Sequence, residues 1–233
     1  MLKIDLPLFK YDHKPILTEI AFTLARGENL TIMGANGAGK STLAKIICGL
    51  ISTKKCVMLE GAYIETLPAA RRSRLINYIP PYLEIFDPYL RVASYLRLCG
   101  NSSCAEEAMV SFGLEGMHAR FVAELSSGER QLLQMACAMV HQSAMTIYDE
   151  PTANLDPRRA RMVYRHFRQN GGSNIVITHT FQLAYRLRYP IYYLHDGRGT
   201  YYADSEAFFD ESNLFALFGE SVIKKGDMVV VNL

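Results

Sequence analysis

Two features that mark membrane-spanning or exported chains are missing from this sequence. The longest obvious apolar run, residues 132–140, is far shorter than the roughly 18 residues that a membrane-spanning helix requires. The first seven residues, Met-Leu-Lys-Ile-Asp-Leu-Pro, place an acidic residue and a proline where a signal peptide would be apolar. We therefore expect a soluble protein made in the cytosol.

A strong charge of either sign and closely spaced cysteine pairs are also missing. The formal net charge is only +2, which gives no reason to expect a nucleic acid partner. No Cys-x-x-Cys pair occurs, and an odd number of cysteines cannot all be bridged within the chain. We expect buried free thiols in a reducing compartment at the five positions Cys48, Cys56, Cys99, Cys104 and Cys137.

Short apolar runs alternate with helical patterns along much of the chain, which is typical of an α/β protein with a largely parallel sheet. The strand-like runs are residues 75–79, 145–148, 174–178 and 191–194. Residues 82–140 carry no strand pattern, and we interpret them as a helical insertion. Within them, Ser103 and Glu106 have the spacing of a capping box before one helix, and a second is expected from Glu129 to about Gln142. The tail, residues 224–233, has the pattern of a late strand.

One glycine-rich run stands out as a phosphate-binding candidate. It matches the pattern of a glycine, four residues and Gly-Lys-Ser/Thr, and it lies between an apolar segment, residues 29–33, and apolar residues at helical spacing. Glycines let backbone N–H groups converge on phosphate oxygens, Lys40 can bridge the β- and γ-phosphates, and the Ser41 hydroxyl can bind Mg²⁺. A plain glycine-rich turn is the alternative. We predict a nucleoside triphosphate site made of Gly34, Ala35, Asn36, Gly37, Ala38, Gly39, Lys40, Ser41 and Thr42.

Two further motifs follow along the chain. Residues 125–131 read Leu-Ser-Ser-Gly-Glu-Arg-Gln, and residues 145–151 read Met-Thr-Ile-Tyr-Asp-Glu-Pro. Asp149 ends an apolar strand, so its carboxylate should emerge at the carboxyl edge of the sheet, where α/β folds place ligands. Taken singly, the two motifs could be a serine-rich helix cap and a surface acidic pair.

Together with the glycine-rich run, these motifs resemble those of the nucleotide-binding subunits of ABC (ATP-binding cassette) transporters. The resemblance covers nearly the whole chain from Tyr11 onward. It implies a P-loop NTPase (RecA-like) α/β core with a mainly parallel sheet, an inserted α-helical subdomain and an N-terminal antiparallel β portion. The implied organisation is one ABC ATPase domain, with residues 1–80 and 143–210 as catalytic core, 81–142 as helical subdomain and 211–233 as C-terminal segment.

The resemblance assigns roles to single residues. Glu150 would be the general base that polarises the attacking water, a contribution typically worth about 10²–10⁴ in rate. Asp149, with Ser41, would hold Mg²⁺. His179 matches the switch histidine that touches the γ-phosphate, and Tyr11 lies where an aromatic ring stacks on adenine. Without the resemblance, a histidine after a strand is usually structural and an early tyrosine is weak evidence. The predicted catalytic residues are Glu150, His179 and Lys40.

The resemblance also implies a partner subunit. The family signature reads Leu-Ser-Gly-Gly-Gln, and this chain has Ser127 and Glu129 at the first glycine and the glutamine. In the family this segment contacts the γ-phosphate bound by the opposite subunit, and residues 153–156 match a dimer-contacting loop. A homodimer or ABC heterodimer is therefore implied, with two ATP molecules between the subunits. The residues acting in trans would be Ser126, Ser127, Gly128 and Glu129.

One position departs from the family pattern. The segment that ends in Pro-Gln in the family reads Pro80-Pro81 here. The family's glutamine contacts Mg²⁺ and the attacking water, whereas Pro81 has neither a side-chain oxygen nor an N–H. Either hydrolysis is slower in this chain, or a water molecule replaces the missing amide. The loop that senses the membrane partner in the family should also be stiffer here.

Three segments resemble importers of iron–siderophore complexes, haem and cobalamin: residues 67–72, 89–100 and 214–220. The arginines of the first could also form a solvated helix face. The implied protein is the ATP-hydrolysing subunit of such an importer, peripheral on the inner face of the cell membrane. Its partners would be integral membrane permease subunits and, indirectly, a substrate-binding protein. The alternatives are a soluble ABC-type ATPase and a weakly hydrolysing regulatory module, both without a membrane partner.

Overall fold

The computed structural model describes residues 1–169 and 172–231, which fall into two compact units. The first comprises Met1–Leu67 and Ser173–Leu233, and the second comprises Pro68–Gly172. The predicted helical segment, residues 81–142, lies within the second unit; the domain boundaries drawn from the sequence remain predictions. Among the described residues, no helix combines the length and the apolar character needed to cross a membrane.

The secondary structure follows the expected alternation. The strands are β1 (Leu2–Tyr11), β2 (Lys14–Leu24), β3 (Leu30–Gly34), β4 (Val57–Leu59), β5 (Ala62–Tyr63), β6 (Ile76–Ile79), β7 (Met145–Asp149), β8 (Ser173–Ile177), β9 (Ile191–His195), β10 (Arg198–Tyr202), β11 (Val222–Lys225) and β12 (Met228–Val231). The α-helices are α1 (Lys40–Ile47), α2 (Ala69–Leu75), α3 (Val92–Cys99), α4 (Ala105–Ser111), α5 (Ser127–His141), α6 (Pro157–Gln169), α7 (Phe181–Leu187), α8 (Ser205–Phe208) and α9 (Glu211–Phe218). The four predicted strands are present as β6, β7, β8 and β9, and the second predicted helix is α5.

The first unit contains an antiparallel sheet at the start of the chain. Its strand order is β2-β1-β4-β5, and β1 pairs with β2 from Leu2 opposite Leu24 to Tyr11 opposite Lys14. Side chains along the first half of β1 alternate between buried and exposed, as expected for a strand with one face on a core. This sheet is the N-terminal antiparallel portion that was predicted.

The same unit contains the parallel strands that carry the glycine-rich loop. β3 pairs in parallel with β8 on one edge and with β9 on the other, and β10 joins β9 antiparallel. Every residue of β3 and β8 is buried, which is the pattern of parallel strands covered on both faces. The predicted fold class, an α/β protein with mainly parallel strands, is confirmed.

The C-terminal segment forms part of the core of the first unit. Phe208, Phe209 and Leu214 are buried with Val222 of β11 and Val229 of β12 in one apolar cluster. The predicted late strand is therefore present as β12 over Met228–Val231. The last two residues of that prediction, 232 and 233, lie outside the described part of the chain.

The second unit pairs β6 in parallel with β7 and adds helices α2 to α6. Residues 82–140 contain no strand, as predicted for this described stretch. The predicted capping box of Ser103 and Glu106 is wrong, because α4 begins after Cys104 without a side-chain cap. The Ser103 hydroxyl instead donates to Asn101 Oδ1 at 2.8 Å, an alternative that short polar side chains often take near helix starts.

The prediction that all five cysteines are free thiols is also wrong. Cys99 and Cys137 form a disulfide, with their Cα atoms 5.5 Å apart. The bridge forms because the last residue of α3 lies beside α5, a proximity that the sequence separation of 38 between the two cysteines conceals. Cys48 is a buried cysteine outside this bridge, as expected, whereas Cys56 and Cys104 are free thiols and only partly buried.

His166 of α6 gives the second unit a pH-dependent stability. Its Nε2 lies 3.3 Å from the Tyr148 hydroxyl and its ring lies 5.2 Å from that of Phe112. Burial lowers the pKa of His166 from 6.5 to about 4. Glu107 and Arg165 line the cavity that His166 also faces.

We expect stability to fall as the pH is lowered from 6.5 toward 4, because the unfolded chain takes up a proton that the folded chain resists. The loss at pH 5 relative to neutral pH should be about 2 kcal/mol. Thermal melts at pH 7.5 and pH 5.0 measure it. In a His166→Gln variant, most of the difference in stability between the two pH values should disappear. If the variant loses as much stability at pH 5.0 as the wild type, His166 is not its cause.

Candidate functional site

The glycine-rich loop joins β3 to α1, as its sequence context predicts. Gly34 is buried at the end of β3, and a Cβ there would meet the Leu194 carbonyl oxygen at 2.2 Å. Gly39 has a φ of 97° and immediately precedes α1. A Cβ on Gly39 would meet Leu17 Cδ2 at 2.8 Å. Both positions therefore require glycine, for the close approach at one and for the left-handed backbone at the other.

Lys40 is the first residue of α1 and is almost buried, with 7% of its surface exposed. Its ammonium donates to the Gly34 carbonyl at 2.8 Å and to the Ala35 carbonyl at 3.0 Å. The Lys40 ammonium is therefore held against the backbone of the loop. This is the arrangement that an incoming phosphate anion can join.

The remaining loop residues are open to an approaching ligand. Ala35, Asn36 and Gly37 are exposed, and Ala38 is partly exposed. Ser41 is exposed in the first turn of α1, and Thr42 beside it is partly buried. The start of a helix offers unpaired N–H groups and the positive end of its dipole to an anion.

A cavity of about 290 Å³ lies next to this loop in the first unit. Its lining includes Gly34, Ala35 and Asn36 from the loop, His179 from the segment after β8, and the rings of Phe181 and Phe218. His179 is exposed, and the Thr178 N–H before it donates to the Ile32 carbonyl at 3.1 Å. The structure thus brings the predicted switch histidine to the loop that is predicted to bind phosphate.

Tyr11 is the last residue of β1 and remains 48% exposed. Its ring packs edge-on against Phe9, with the ring centres 5.0 Å apart. An exposed ring supported by a second aromatic is suited to stacking on a flat base. Its role toward adenine stays a prediction.

In the second unit, β7 delivers the predicted acidic pair. Asp149 is its last residue and only 1% exposed. The Tyr78 hydroxyl of β6 donates to Asp149 Oδ2 at 2.9 Å. Glu150 follows with a φ of 52°, a left-handed conformation that is uncommon for residues other than glycine and that turns the chain sharply after the strand. Glu150 is partly buried.

The predicted signature segment caps α5. Ser126 Oγ accepts from the Glu129 N–H at 3.3 Å, while Glu129 Oε2 accepts from the Ser126 N–H at 2.8 Å. The Ser126 N–H is the main reason that the pKa of Glu129 lies below its ordinary value; the Ser126 hydroxyl, Arg120 and Arg159 act in the same direction. Ser127 is exposed and Gly128 is buried. The glutamate at the family's glutamine position thus closes a capping box.

This cap gives a direct stability prediction. Ser126→Ala should cost about 1 kcal/mol of the free energy of unfolding, because the Glu129 N–H loses its acceptor at the start of α5. Urea unfolding of the purified chain measures it. Ser127→Ala, at the next exposed position, is the matched control and should be near neutral; an equal cost in both variants would contradict the capping role.

Residues 153–156 lie close to the signature segment within the second unit. A Cβ on Gly128 would meet Arg159 Nη1 at 2.9 Å and the Asn154 carbonyl oxygen at 3.3 Å. Asp156 Oδ1 accepts from the N–H groups of Arg158 and Arg159, both at 2.9 Å, at the start of α6. Gly128 therefore lets the predicted dimer-contacting loop approach the signature helix.

Two residues of the second unit make contacts near the site that the sequence did not predict. One is Tyr78, whose contact with Asp149 depends on the pairing of β6 with β7. The other is Gln134 of α5, which is 2% exposed and donates from Nε2 to the Pro80 carbonyl at 3.0 Å. A glutamine within the apolar face of a helix could have indicated such a contact, because a buried amide needs hydrogen-bond partners. Pro81 itself is partly exposed.

The residues present fit the groups predicted from the sequence. The loop has two positions where a Cβ would intrude, a buried lysine and an open helix start, which suit a triphosphate. The side chains of Ser41 and Asp149 offer oxygen atoms, the ligands that Mg²⁺ prefers. A strand, a glycine-rich loop and a helix beginning with a buried lysine define a P-loop nucleotide-binding protein.

Comparison with known proteins identifies the family. Residues 17–153 match the family described as ABC transporter. A putative ABC transporter ATP-binding protein of Pyrococcus abyssi is 33% identical, over 91% of this chain and 87% of that protein. The lipoprotein-releasing system ATP-binding protein LolD of Bordetella avium is 33% identical, over 76% of this chain and 86% of that protein.

A solved structure has the same fold. It is described as an inward-facing conformation of a putative metal-chelate type ABC transporter, is 19% identical, and covers 98% of this chain and 94% of its own with a TM-score of 0.76. The chain belongs to the ABC transporter family. It is an ATP-binding subunit of an ABC transporter and an ATPase.

Proposed function

We propose that this chain is the ATP-hydrolysing subunit of an importer for metal chelates of the iron–siderophore, haem or cobalamin type. Three of its segments, residues 67–72, 89–100 and 214–220, resemble that group, and one fold relative is described as a metal-chelate type transporter. LolD, a relative that is 33% identical, is described as part of a lipoprotein-releasing system. Lipoprotein release is therefore the competing cargo class, and transport assays must include it.

The site residues have separate proposed roles. Lys40 and the N–H groups of the loop bind the phosphates, Tyr11 stacks on adenine, and His179 contacts the γ-phosphate. Glu150 accepts a proton from the attacking water, in line with its position directly after the buried Asp149. The observation that carries the proposal is the nearly buried ammonium of Lys40 at the start of α1. It donates to carbonyls of a loop that requires glycine at Gly34 and Gly39.

Ser41 and Asp149 are the proposed Mg²⁺ ligands. When bound, Mg²⁺ would neutralise charge on the phosphate oxygens during hydrolysis. The protein's own contribution is to hold these oxygen ligands, with Glu150 next to Asp149 in the chain. The two consecutive acidic residues then have different roles: Asp149 binds the metal ion, and Glu150 accepts a proton from the attacking water.

A second subunit completes the site in this proposal. Ser126, Ser127, Gly128 and Glu129 would contact the γ-phosphate on the opposite subunit, so that two copies, or one copy and a related chain, enclose two ATP molecules. The exposed Ser127 at the first turn of α5 supports this, because a helix start attracts an anion. ATP then favours the closed dimer through contacts that disappear after hydrolysis.

The membrane partner is the third element of the proposal. Directly after Pro81, Tyr82 is 68%, Phe86 is 88% and Tyr89 is 77% exposed. Exposed aromatic side chains in a cluster commonly mark a protein–protein contact. We assign this stretch to integral permease subunits, which would place the chain in the cytoplasm on the inner face of the cell membrane, with a substrate-binding protein as an indirect partner.

ATP hydrolysis measured against protein concentration tests the shared site. The specific rate should rise with concentration and then level off, because only the dimer holds complete sites. A specific rate that is independent of concentration over a range where sedimentation detects only monomer would contradict the proposal. Uptake of ferric siderophore, haem or cobalamin by vesicles that contain the permease tests the cargo class, with lipoprotein release as the competing readout.

Pro81 gives a further prediction. Pro81→Gln should raise the turnover number several-fold, because the amide supplies the contacts to Mg²⁺ and water that proline lacks. Pro88→Gln, an exposed proline of the same unit, is the control and should leave turnover unchanged. A turnover number unaltered by Pro81→Gln would mean that another group or a water already fills this role.

A further inference from the structure

The strand β6 places one hydroxyl against the carboxylate that ends β7. The two strands pair in parallel, with Tyr78 opposite Ile147 and Ile79 opposite Tyr148. Tyr78 thus lies beside a residue two positions before the end of β7, and its hydroxyl lies 2.9 Å from Oδ2 of the last residue, Asp149. The contact is therefore set by strand pairing.

Asp149 needs such a donor because it is buried. With only 1% of its surface exposed, its carboxylate has little access to water, and a buried charge without hydrogen bonds is costly. A hydrogen bond to an ionised oxygen is stronger than one between neutral groups. The Tyr78 hydroxyl gives Oδ2 of Asp149 a hydrogen-bond donor and restricts rotation of the carboxylate.

The strand that carries Tyr78 is itself fixed at its end. Gln134 Nε2 of α5 donates to the Pro80 carbonyl at 3.0 Å, directly after Ile79 closes β6. Pro80 and Pro81 both have restricted φ angles. The main chain leaving Tyr78 therefore has little freedom to shift the hydroxyl away from Asp149.

We propose that Tyr78 is the positioning residue for the Mg²⁺-binding carboxylate of Asp149. It engages Oδ2, so that Oδ1 is the oxygen left for the metal. This inference rests on the proposed function, which makes Asp149 a metal ligand. Tyr78 touches neither nucleotide nor water in this assignment and acts only through Asp149.

The consequence is a specific defect in metal binding. Partners that orient metal ligands typically change metal affinity by about 10–100-fold when removed. Tyr78→Phe removes one oxygen atom and keeps the ring in place. It should weaken binding of the divalent cation to the protein–nucleotide complex by about tenfold, while affinity for the nucleotide without metal stays as in the wild type.

The experiment follows Mn²⁺ by electron paramagnetic resonance, with a non-hydrolysable ATP analogue bound to the full chain. Wild type, Tyr78→Phe and Tyr78→Met are titrated, with Tyr95→Phe as the matched control, since Tyr95 is a partly buried tyrosine of the same unit. Analogue binding in the presence of a chelator and thermal melts are recorded for each. Both variants at position 78 should need about tenfold more Mn²⁺, whereas Tyr95→Phe should match the wild type.

An Asp149→Asn variant separates this inference from the proposed function. If Asp149→Asn loses Mn²⁺ binding and both variants at position 78 bind Mn²⁺ like the wild type, the positioning role is overturned and the metal ligand stands. If Asp149→Asn retains Mn²⁺ binding, the metal site itself is misassigned and the inference falls with it. If the variants at position 78 melt at a lower temperature but bind Mn²⁺ with unchanged affinity, the Tyr78 hydroxyl contributes only to stability. That result would also overturn the proposal.

Discussion

Glu150→Gln is expected to abolish steady-state ATP hydrolysis while leaving ATP binding intact. The amide keeps the size and shape of the side chain but cannot accept a proton from the attacking water. Loss of a general base typically costs about 10²–10⁴ in rate. Phosphate release under saturating Mg-ATP measures turnover, and equilibrium binding of a fluorescent ATP analogue measures affinity.

The control for this variant is Glu115→Gln, an exposed glutamate of the same unit. It should hydrolyse ATP at the wild-type rate. The expected pattern also includes a longer-lived dimer for Glu150→Gln, because ATP held between two subunits is not consumed. Turnover of Glu150→Gln within a factor of about two of the wild type would mean that Glu150 is not the base.

Lys40→Ala is expected to lose most of the affinity for ATP. The ammonium is nearly buried and donates to two backbone carbonyls of the loop, at 2.8 and 3.0 Å. It would form charge-assisted hydrogen bonds to phosphate. Such bonds contribute about 1.5–3 kcal/mol each, so the dissociation constant should rise by about 10- to 100-fold. Isothermal titration with ATP in the presence of Mg²⁺ measures it.

Lys45→Ala provides a matched control, because Lys45 is on the same helix but exposed. It should bind ATP like the wild type, since it lies away from the loop. A thermal melt of Lys40→Ala shows whether the loop keeps its structure without the ammonium. Equal ATP affinity for the two variants would contradict the assignment of Lys40 to the phosphates.

The site elements that the sequence predicted are local. The phosphate loop follows a buried strand and precedes a helix, so nine consecutive residues carry both the conformation and the chemistry. Asp149 was placed correctly because an apolar run ending in a carboxylate can be recognised without its neighbours. The strand order of the parallel set could not be obtained in this way, since β3 pairs with strands more than a hundred residues later in the chain.

The missed features all depend on contacts between distant segments. The Cys99–Cys137 bridge requires the end of α3 to lie beside α5, and Tyr78 reaches Asp149 across 71 residues. The Ser103 prediction failed for the opposite reason, because a local competitor, the Asn101 side chain, binds that hydroxyl. The spacing of two residues shows only that a capping box is possible. A competing acceptor nearby can determine which hydrogen bond the serine hydroxyl forms.

The central claim is that two copies of the chain share each ATP site, and complementation between inactive variants tests it. Lys40→Ala disables the phosphate loop, and Ser127→Glu places a negative charge at the exposed first turn of α5, where the partner's phosphate would lie. Neither variant alone should hydrolyse ATP. Mixed in equal amounts, half of the dimers would contain both variants and each of these would hold one intact site.

The mixture should therefore recover up to roughly a quarter of the wild-type specific activity, since one of every four sites is complete. Sedimentation in the presence of ATP confirms that mixed dimers form. An inactive mixture in which mixed dimers are present, or full activity of Ser127→Glu alone, would contradict the shared site.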